Sequence, residues 1–229
     1  MTDAIESRPP VNQSIERAAR LLGLFTTEEP ELSLAQLGAQ LGVSRATAHR
    51  YATALRNAGL LRMTSSGYSL GPRIIELAST ALAGLRVVSI AGPYLGQLVS
   101  RVNETAVLSV WDGEAPIVVR VDDNTNRTVR INVRAGSRLT ADSAQGKVFR
   151  AYPPISDPSL ADVVRDGLAF SPSGIEGIGA MAAPVFQADR VVASLALVGT
   201  LATIQSAVDS RIADALRVTA GELSAELGG

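Results

Sequence analysis

Few residue types in this sequence can do chemistry. In 229 residues cysteine is absent and histidine occurs once, at position 49. That excludes a thiol nucleophile, a zinc finger and a disulfide scaffold, and one imidazole falls short of a multi-histidine metal site. Asp122 and Asp123 are a carboxylate pair by type. They fall in a strand-like segment, where neighbouring side chains point to opposite faces and cannot share a substrate. Gly174, Gly177 and Gly179 precede a strand rather than joining a strand to a helix, so no phosphate loop is indicated. With no complete catalytic set, the sequence predicts no enzyme, no metal and no cofactor.

Arginine offers more. The formal net charge is only −1, which taken as an average disfavours a polyanion as partner. The distribution says otherwise. Between Leu32 and Arg73 stand five arginines (Arg45, Arg50, Arg56, Arg62, Arg73) and no acid. From Glu76 to the C-terminus, 13 basic residues face 16 acidic ones. A basic block in an acidic chain is the footprint of a polyanion-binding face, and it also fits a solvated surface that lacks acids.

These residues need a scaffold, and the helical punctuation supplies one. Ser14 opens a first helix with Ile15, Ala18, Ala19, Leu22 and Phe25 on one stripe, broken by Thr26 to Pro30. Ser33 caps a short helix through Leu34, Leu37 and Leu41 that Gly42 ends. Ser44 caps a third, with Ala48, Tyr51, Ala52, Leu55 and Ala58 inward and Gly59 as stop. The period then becomes extended: Leu60 to Met63 and Tyr68 to Leu70 flank a polar turn, Thr64 to Gly67. Three helices and a two-stranded wing make a winged helix-turn-helix, with a three-helix bundle and trailing hairpin as the alternative. The outward positions of the third helix are Arg45, Ala46, Thr47, His49, Arg50 and Thr53. Ser44 and Thr47 are placed to meet phosphate, Arg45 and His49 to reach base edges, and Arg50 to clamp phosphate. Arg62, Ser65 and Ser66 on the wing would follow the adjoining backbone. His49 is equally readable as incidental.

Beyond Pro72, a linker helix runs through Leu82. A second domain then reads as a helix through Ile90 and Val102, a hairpin of Thr105 to Trp111 and Pro116 to Val121 about Asp112-Gly113, and a third strand, Arg127 to Val133. A polar loop leads to a helix around Lys147. A second hairpin follows, Gly179 to Phe186 with Val191 to Val198, and a helix from Ile204 to Leu227 closes the chain. The fold class is α+β, an antiparallel sheet with helices segregated to one side. The domain limits are a tail (1–11), a winged helix-turn-helix (12–71), a linker helix (72–86) and a sensor-like domain (87–229). Met1 to Pro10 has no apolar stretch, and the uncharged run Val191 to Val208 reads as strand, loop and helix start. No membrane span is expected, and the expected location is cytoplasmic.

The segments Ser33 to Tyr51, Leu55 to Leu61 and Gly67 to Arg73 resemble the IclR family of bacterial transcriptional regulators. The likeness continues through Val107 to Glu114, Ala135 to Leu139, Gly146-Lys147 and Ala182 to Phe186. It implies a DNA-reading helix at Ser44–Asn57, a GAF-like effector-binding domain, a pseudo-palindromic double-stranded operator, and a homodimer or tetramer. It implies that the effector lies against Trp111, Leu139, Asp142, Ser143, Ala144, Gln145, Met181, Ala196 and Val198, with backbone amides near Ala144 and Gln145 facing an anionic group. The family's common histidine before the Lys147 helix is missing. Thr140-Ala-Asp-Ser143 is about one residue shorter, and Phe170–Ser171 stands where an acid often occurs. Ala196 and Val198 replace positions that can be small and polar, so an aromatic or largely apolar effector is expected; the same two residues also fit plain core packing. The implied function is an effector-switched regulator, read as a repressor. An activator, or a ligand-binding or oligomerisation module that does not touch DNA, is the alternative.

Overall fold

A computed structural model describes residues 12–123, 133–172, 177–206 and 210–228. The chain divides into two compact units, Met1–Leu82 and Ala83–Gly229. The tail 1–11, Gly174 and all of the expected third strand except Val133 lie outside the described residues.

The first unit is built by its caps. Helix α1 (Gln13–Leu22) begins two residues earlier than Ser14 suggests: Asn12 is the N-cap, its Oδ1 accepting the Ser14 N–H at 3.1 Å. Helix α2 (Leu34–Leu41) opens with a reciprocal capping box, in which Ser33 and Gln36 each satisfy the other's backbone N–H. Gly42 ends it in the left-handed region at φ 67°. Ser44 caps α3 (Arg45–Asn57), its Oγ accepting the Thr47 N–H at 3.3 Å. Leu21, Leu32, Leu37, Ala52, Leu55 and Leu61 form the core. Ile15, expected on the same stripe, is 68% exposed instead, because α1 turns only its C-terminal end inward.

Strands β1 (Leu61–Met63) and β2 (Tyr68–Leu70) form the wing, Arg62 opposite Ser69. Leu32 adds a bridge to Tyr68, tying the segment before α2 to the wing. Gly67 is required there: its φ is +156°, and a Cβ would collide with the Leu32 backbone. Helix α4 (Pro72–Ala83) buries none of its residues.

In the second unit, α5 (Arg86–Val102) leads into β3 (Thr105–Trp111) and β4 (Pro116–Asp122). Between these strands Asp112 accepts the N–H groups of Glu114 and Ala115 at 2.8 and 2.7 Å, and Gly113 takes φ +107°. Helix α6 (Ala144–Ala151), a 3-10 turn (Pro158–Leu160), α7 (Ala161–Asp166) and β5 (Ala169–Pro172) follow. The hairpin of β6 (Ile178–Gln187) and β7 (Arg190–Thr200) comes next. The expected terminal helix is two, α8 (Leu201–Ser206) and α9 (Arg211–Glu226), the latter capped by Ser210. The five strands run antiparallel in the order β4-β3-β7-β6-β5.

Helices are not confined to one side of this sheet, as the sequence reading had them. Leu108, Met181, Leu195 and Leu197 face α5 and α9, while Val107, Ala180, Ala182, Ala196 and Val198 face α6. A sheet covered on both faces needs apolar residues at every position, and the run Ile178 to Val185 provides them. Among the described residues no single helix is long and apolar enough to cross a membrane.

Candidate nucleic-acid interface and ligand cavity

The first unit presents the α3 face that its sequence predicts. Ala48, Ala52 and Leu55 anchor the helix inward, leaving Ser44, Arg45, His49 and Arg50 exposed and Thr47 half-buried. Ser44 Oγ and Thr47 Oγ1 lie 3.0 Å apart, so the two hydroxyls closest to the helix start already share one hydrogen bond. No ion pair is made by Arg45, Arg50 or Arg56 among the described residues. Behind the helix, Tyr51 has a hydroxyl held below its ordinary pKa, first by a hydrogen bond to Ser14 and then by Arg17 and Arg50.

The wing is less free than expected. Arg62 is exposed, and its Nε donates to Ser69 Oγ at 2.8 Å. Ser65 is exposed, but Ser66 and Thr64 both donate to the Glu31 carboxylate. The acid-free run starts one residue after Glu31, and folding returns that carboxylate to the wing turn. At the other end Arg73 pairs with Glu76 at 2.8 Å. Arg45, Arg50, Arg56 and Arg62 therefore keep unpaired positive charge, as do Arg17 and Arg20 on α1, among the described residues.

In the second unit a cavity of about 250 Å³ opens at the N-terminus of α6. Val133, Leu139, Ala144, Pro172, Ala180 and Val198 supply its apolar wall, and Arg138, Thr140, Ser143, Gln145 and Ser171 its polar part. This is close to the lower end of common ligand-pocket size, about 300 Å³. Gly146 allows it: a Cβ would strike the Ala141 backbone, which lies against the first turn of α6.

Most of the polar lining is already engaged. Ser143 Oγ donates to Thr140 O at 2.7 Å and caps the Gly146 N–H at 3.1 Å. The single proton of Ser171 Oγ is shared between Pro172 O at 2.8 Å and Asp142 O at 3.2 Å. Arg138 Nε reaches Asp112 at 2.9 Å and its Nη2 reaches Glu114 at 3.1 Å. The Arg138 hydrogen bond, with the two turn N–H groups, holds the Asp112 carboxyl down at about 2. Lys147 Nζ, beside the cavity helix, is spent on the carbonyl of Phe170 at 2.9 Å. The N–H groups of Ala144 and Gln145 have no acceptor among the described residues.

Of the expected effector residues, Leu139, Ser143, Ala144, Gln145 and Val198 line this cavity. Ala196 is fully buried on the same face of the sheet, one alternation further along. Asp142 points to solvent and pairs with Arg150 at 2.7 Å. Trp111 lies against the Phe149 ring, centroids 5.3 Å apart. Met181 is on the opposite face, in the core under α5 and α9, because it alternates with Ala180 and Ala182. Ala180 is the β6 residue at the cavity, and with Arg138 and Pro172 it escaped the sequence reading, which named Thr140 and Ser171 only where the family pattern is departed from. Recognising β5, which pairs Ser171 with Ala180, would have found it. Helix α9 buries Leu216, Ala220 and Leu223 against the sheet.

Residues 14–64 match the IclR helix-turn-helix domain. An HTH-type transcriptional regulator of Mycobacterium tuberculosis is 35% identical over 142 residues, covering 61% of this chain and 50% of that protein. The HTH-type transcriptional regulator KipR of Bacillus subtilis is 28% identical over 211 residues, covering 80% of this chain and 84% of KipR. The match thus spans about half the length of the first relative and most of the second. A crystal structure of an IclR transcriptional regulator from Silicibacter superimposes with a TM-score of 0.79 at 25% identity, over 94% of this chain and 96% of that one. Helix-turn-helix, antiparallel sheet and relatives agree: residues 14–64 carry an IclR helix-turn-helix domain, and the chain as a whole is similar to IclR-type transcriptional regulators.

Proposed function

We propose that this chain is a sequence-specific DNA-binding repressor that works as a homodimer or tetramer and is switched by a small, largely apolar effector. The carrying observation is the α3 face, where Arg45 and Arg50 stand exposed beside His49 with no carboxylate paired to them. A partnerless arginine at the start of a recognition helix is free to pair with a guanine edge, the commonest specific contact in the major groove. Arg50, Arg62 and Ser65 are placed for phosphate. Repression is the simpler sign, since occupying an operator obstructs a promoter with no further contact. DNA as the partner puts the protein in the cytoplasm, and its chemistry is binding rather than catalysis.

What the first unit leaves uncovered supports dimerisation. Ile15 on α1 and Ile75, Leu77 and Leu82 on α4 are between 37% and 70% exposed, and a second copy would cover them. Two heads related by a two-fold axis would place their α3 helices in successive major grooves about one helical turn apart, on a pseudo-palindrome. The α6 cavity takes the effector, with its first N–H groups facing an acceptor oxygen and its wall holding an apolar body. Binding there would bias the head spacing through the linker helix, with a coupling of about 1–3 kcal/mol.

Selection from a randomised duplex library tests this reading. The full chain is expected to enrich a pseudo-palindrome with half-sites about one turn apart, and a reporter driven through that site should rise when the protein is absent. A library that leaves selection as random as it entered would sink the proposal.

A further inference from the structure

Gln145 carries a buried side-chain amide at the cavity that no described residue satisfies. It is 3% exposed and lines the cavity, yet its side-chain amide makes no hydrogen bond among the described residues. Among the described residues, the sealed side-chain polar atoms without a hydrogen bond are Ser109 Oγ, Ser194 Oγ and Arg120 Nε, the last still 3.3 Å from an Asp122 oxygen. The Gln145 amide is not one of them, so the little surface it keeps opens into the cavity. A buried amide left unpaired is costly, and the cost is removed only by a group that meets both its N–H₂ and its C=O.

The remaining lining narrows the choice. Donors are plentiful: the N–H groups of Ala144 and Gln145, the Gln145 amide and the Thr140 hydroxyl. The cationic side chain in the lining, Arg138, is neutralised by Asp112 and Glu114, and Lys147, outside the lining, has one of its N–H groups on the Phe170 carbonyl. The Ser143 and Ser171 hydroxyls have given their protons to backbone carbonyls. Gln145 Oε1 is thus an unused side-chain acceptor, beside the oxygens of the Thr140 and Ser171 hydroxyls, and together they call for a ligand that donates. A carboxylate or a ketone has no proton to give.

We propose that Gln145 determines specificity in this cavity and selects an effector bearing a carboxamide or lactam on an apolar body. The inference rests on the reading of this cavity as the effector site. Donor and acceptor on adjacent atoms of the ligand match the two prongs of the glutamine side chain, while its oxygen also meets the α6 N–H groups. The apolar remainder lies on Val133, Leu139, Pro172, Ala180 and Val198.

The test uses the full chain without DNA. Melting temperature and calorimetric affinity are measured against compounds grouped by shared body, such as benzamide, benzoate, acetophenone and benzyl alcohol, with larger alicyclic and aromatic bodies. In each group that binds, the carboxamide is expected to be about tenfold or more tighter than its twins. In Gln145→Leu, and in the unbranched Gln145→Met should the first variant not fold, that preference disappears. The ligand-free variant is expected to melt a few degrees higher than the parent, because an unpaired buried amide is gone. A panel in which no carboxamide outperforms its twins, or a preference that survives in both variants, overturns the proposal. So does a lower melting temperature of the ligand-free variants, which would mean that the amide is already paired. Operator binding is measured separately: a carboxamide that binds through Gln145 but never alters DNA affinity supports this assignment and defeats the effector reading.

Discussion

The two units of this protein differ in how many of their arginines find a carboxylate, although Arg73 finds one in the first unit and Arg86, Arg101, Arg190 and Arg211 find none among the described residues of the second. In the second unit Arg120, Arg138, Arg150, Arg165 and Arg217 each lie within 3.3 Å of an aspartate or glutamate oxygen. In the first, Arg45, Arg50 and Arg56 have no such partner among the described residues. Paired arginines hold a fold together; they fix the cavity loop to the β3–β4 turn and the segment before α6 to the helix itself. Unpaired arginines remain available to something outside. A net charge of −1 conceals both facts, because it sums a basic face against acids that are mostly engaged elsewhere. What matters for partner choice is which cations have no carboxylate beside them.

The largest expected effect breaks the comparison at its strongest point. Arg45→Ala should cost about 1–3 kcal/mol of operator affinity and relax base preference, read by titrating the variant against selected and mutated sites. A comparable loss of stability is expected in the second unit from Gly146→Ala, about 1–3 kcal/mol, because its new methyl group meets the Ala141 backbone. Chemical denaturation measures that, and unchanged stability would mean that the loop moves aside at no cost.

Smaller effects sharpen the picture. Arg62→Ala should weaken binding to all sequences alike and lower the slope of log affinity against log salt by about one unit. Glu31→Gln keeps an acceptor for Ser66 and Thr64 but removes a negative charge from the wing. It should tighten DNA binding a few-fold with sequence preference unchanged. Asp112 gives the weakest signal and a defined pH window. Its folded pKa of about 2 lies below the ordinary 3.8, so the stability it lends is present above pH about 4 and fades as pH falls toward 2. Denaturation of the parent and Asp112→Asn should differ at pH 6 and converge near pH 2.

Local signals made part of this legible. Ser33, Gly42 and Ser44 mark the ends of α2 and α3 within a few residues of the groups they satisfy, and their spacing sets the recognition helix. The Asp112-Gly113 turn likewise fixes β3 at Thr105–Trp111. What was not legible depends on distant pairing. Glu31 reaches Ser66 across 35 positions, so a carboxylate just outside the acid-free run ends up on the wing. Met181 and Ala180 are equally apolar neighbours, and only the register with β7 decides which one sees the cavity. The uninterrupted apolar run of β6 did carry a usable signal, since a strand with one wet face would alternate. Ile15 misled in the other direction: its stripe is real, but in the single chain it faces solvent.

One measurement tests the contrast between the two sets of arginines directly: operator affinity as a function of salt for the parent, for Arg45→Ala/Arg50→Ala, and for Arg165→Ala/Arg217→Ala. The account predicts a steep salt dependence in the parent, a flatter and weaker binding curve for the first pair, and a curve matching the parent for the second. Equal loss from both pairs, or binding indifferent to salt in the parent, would contradict it.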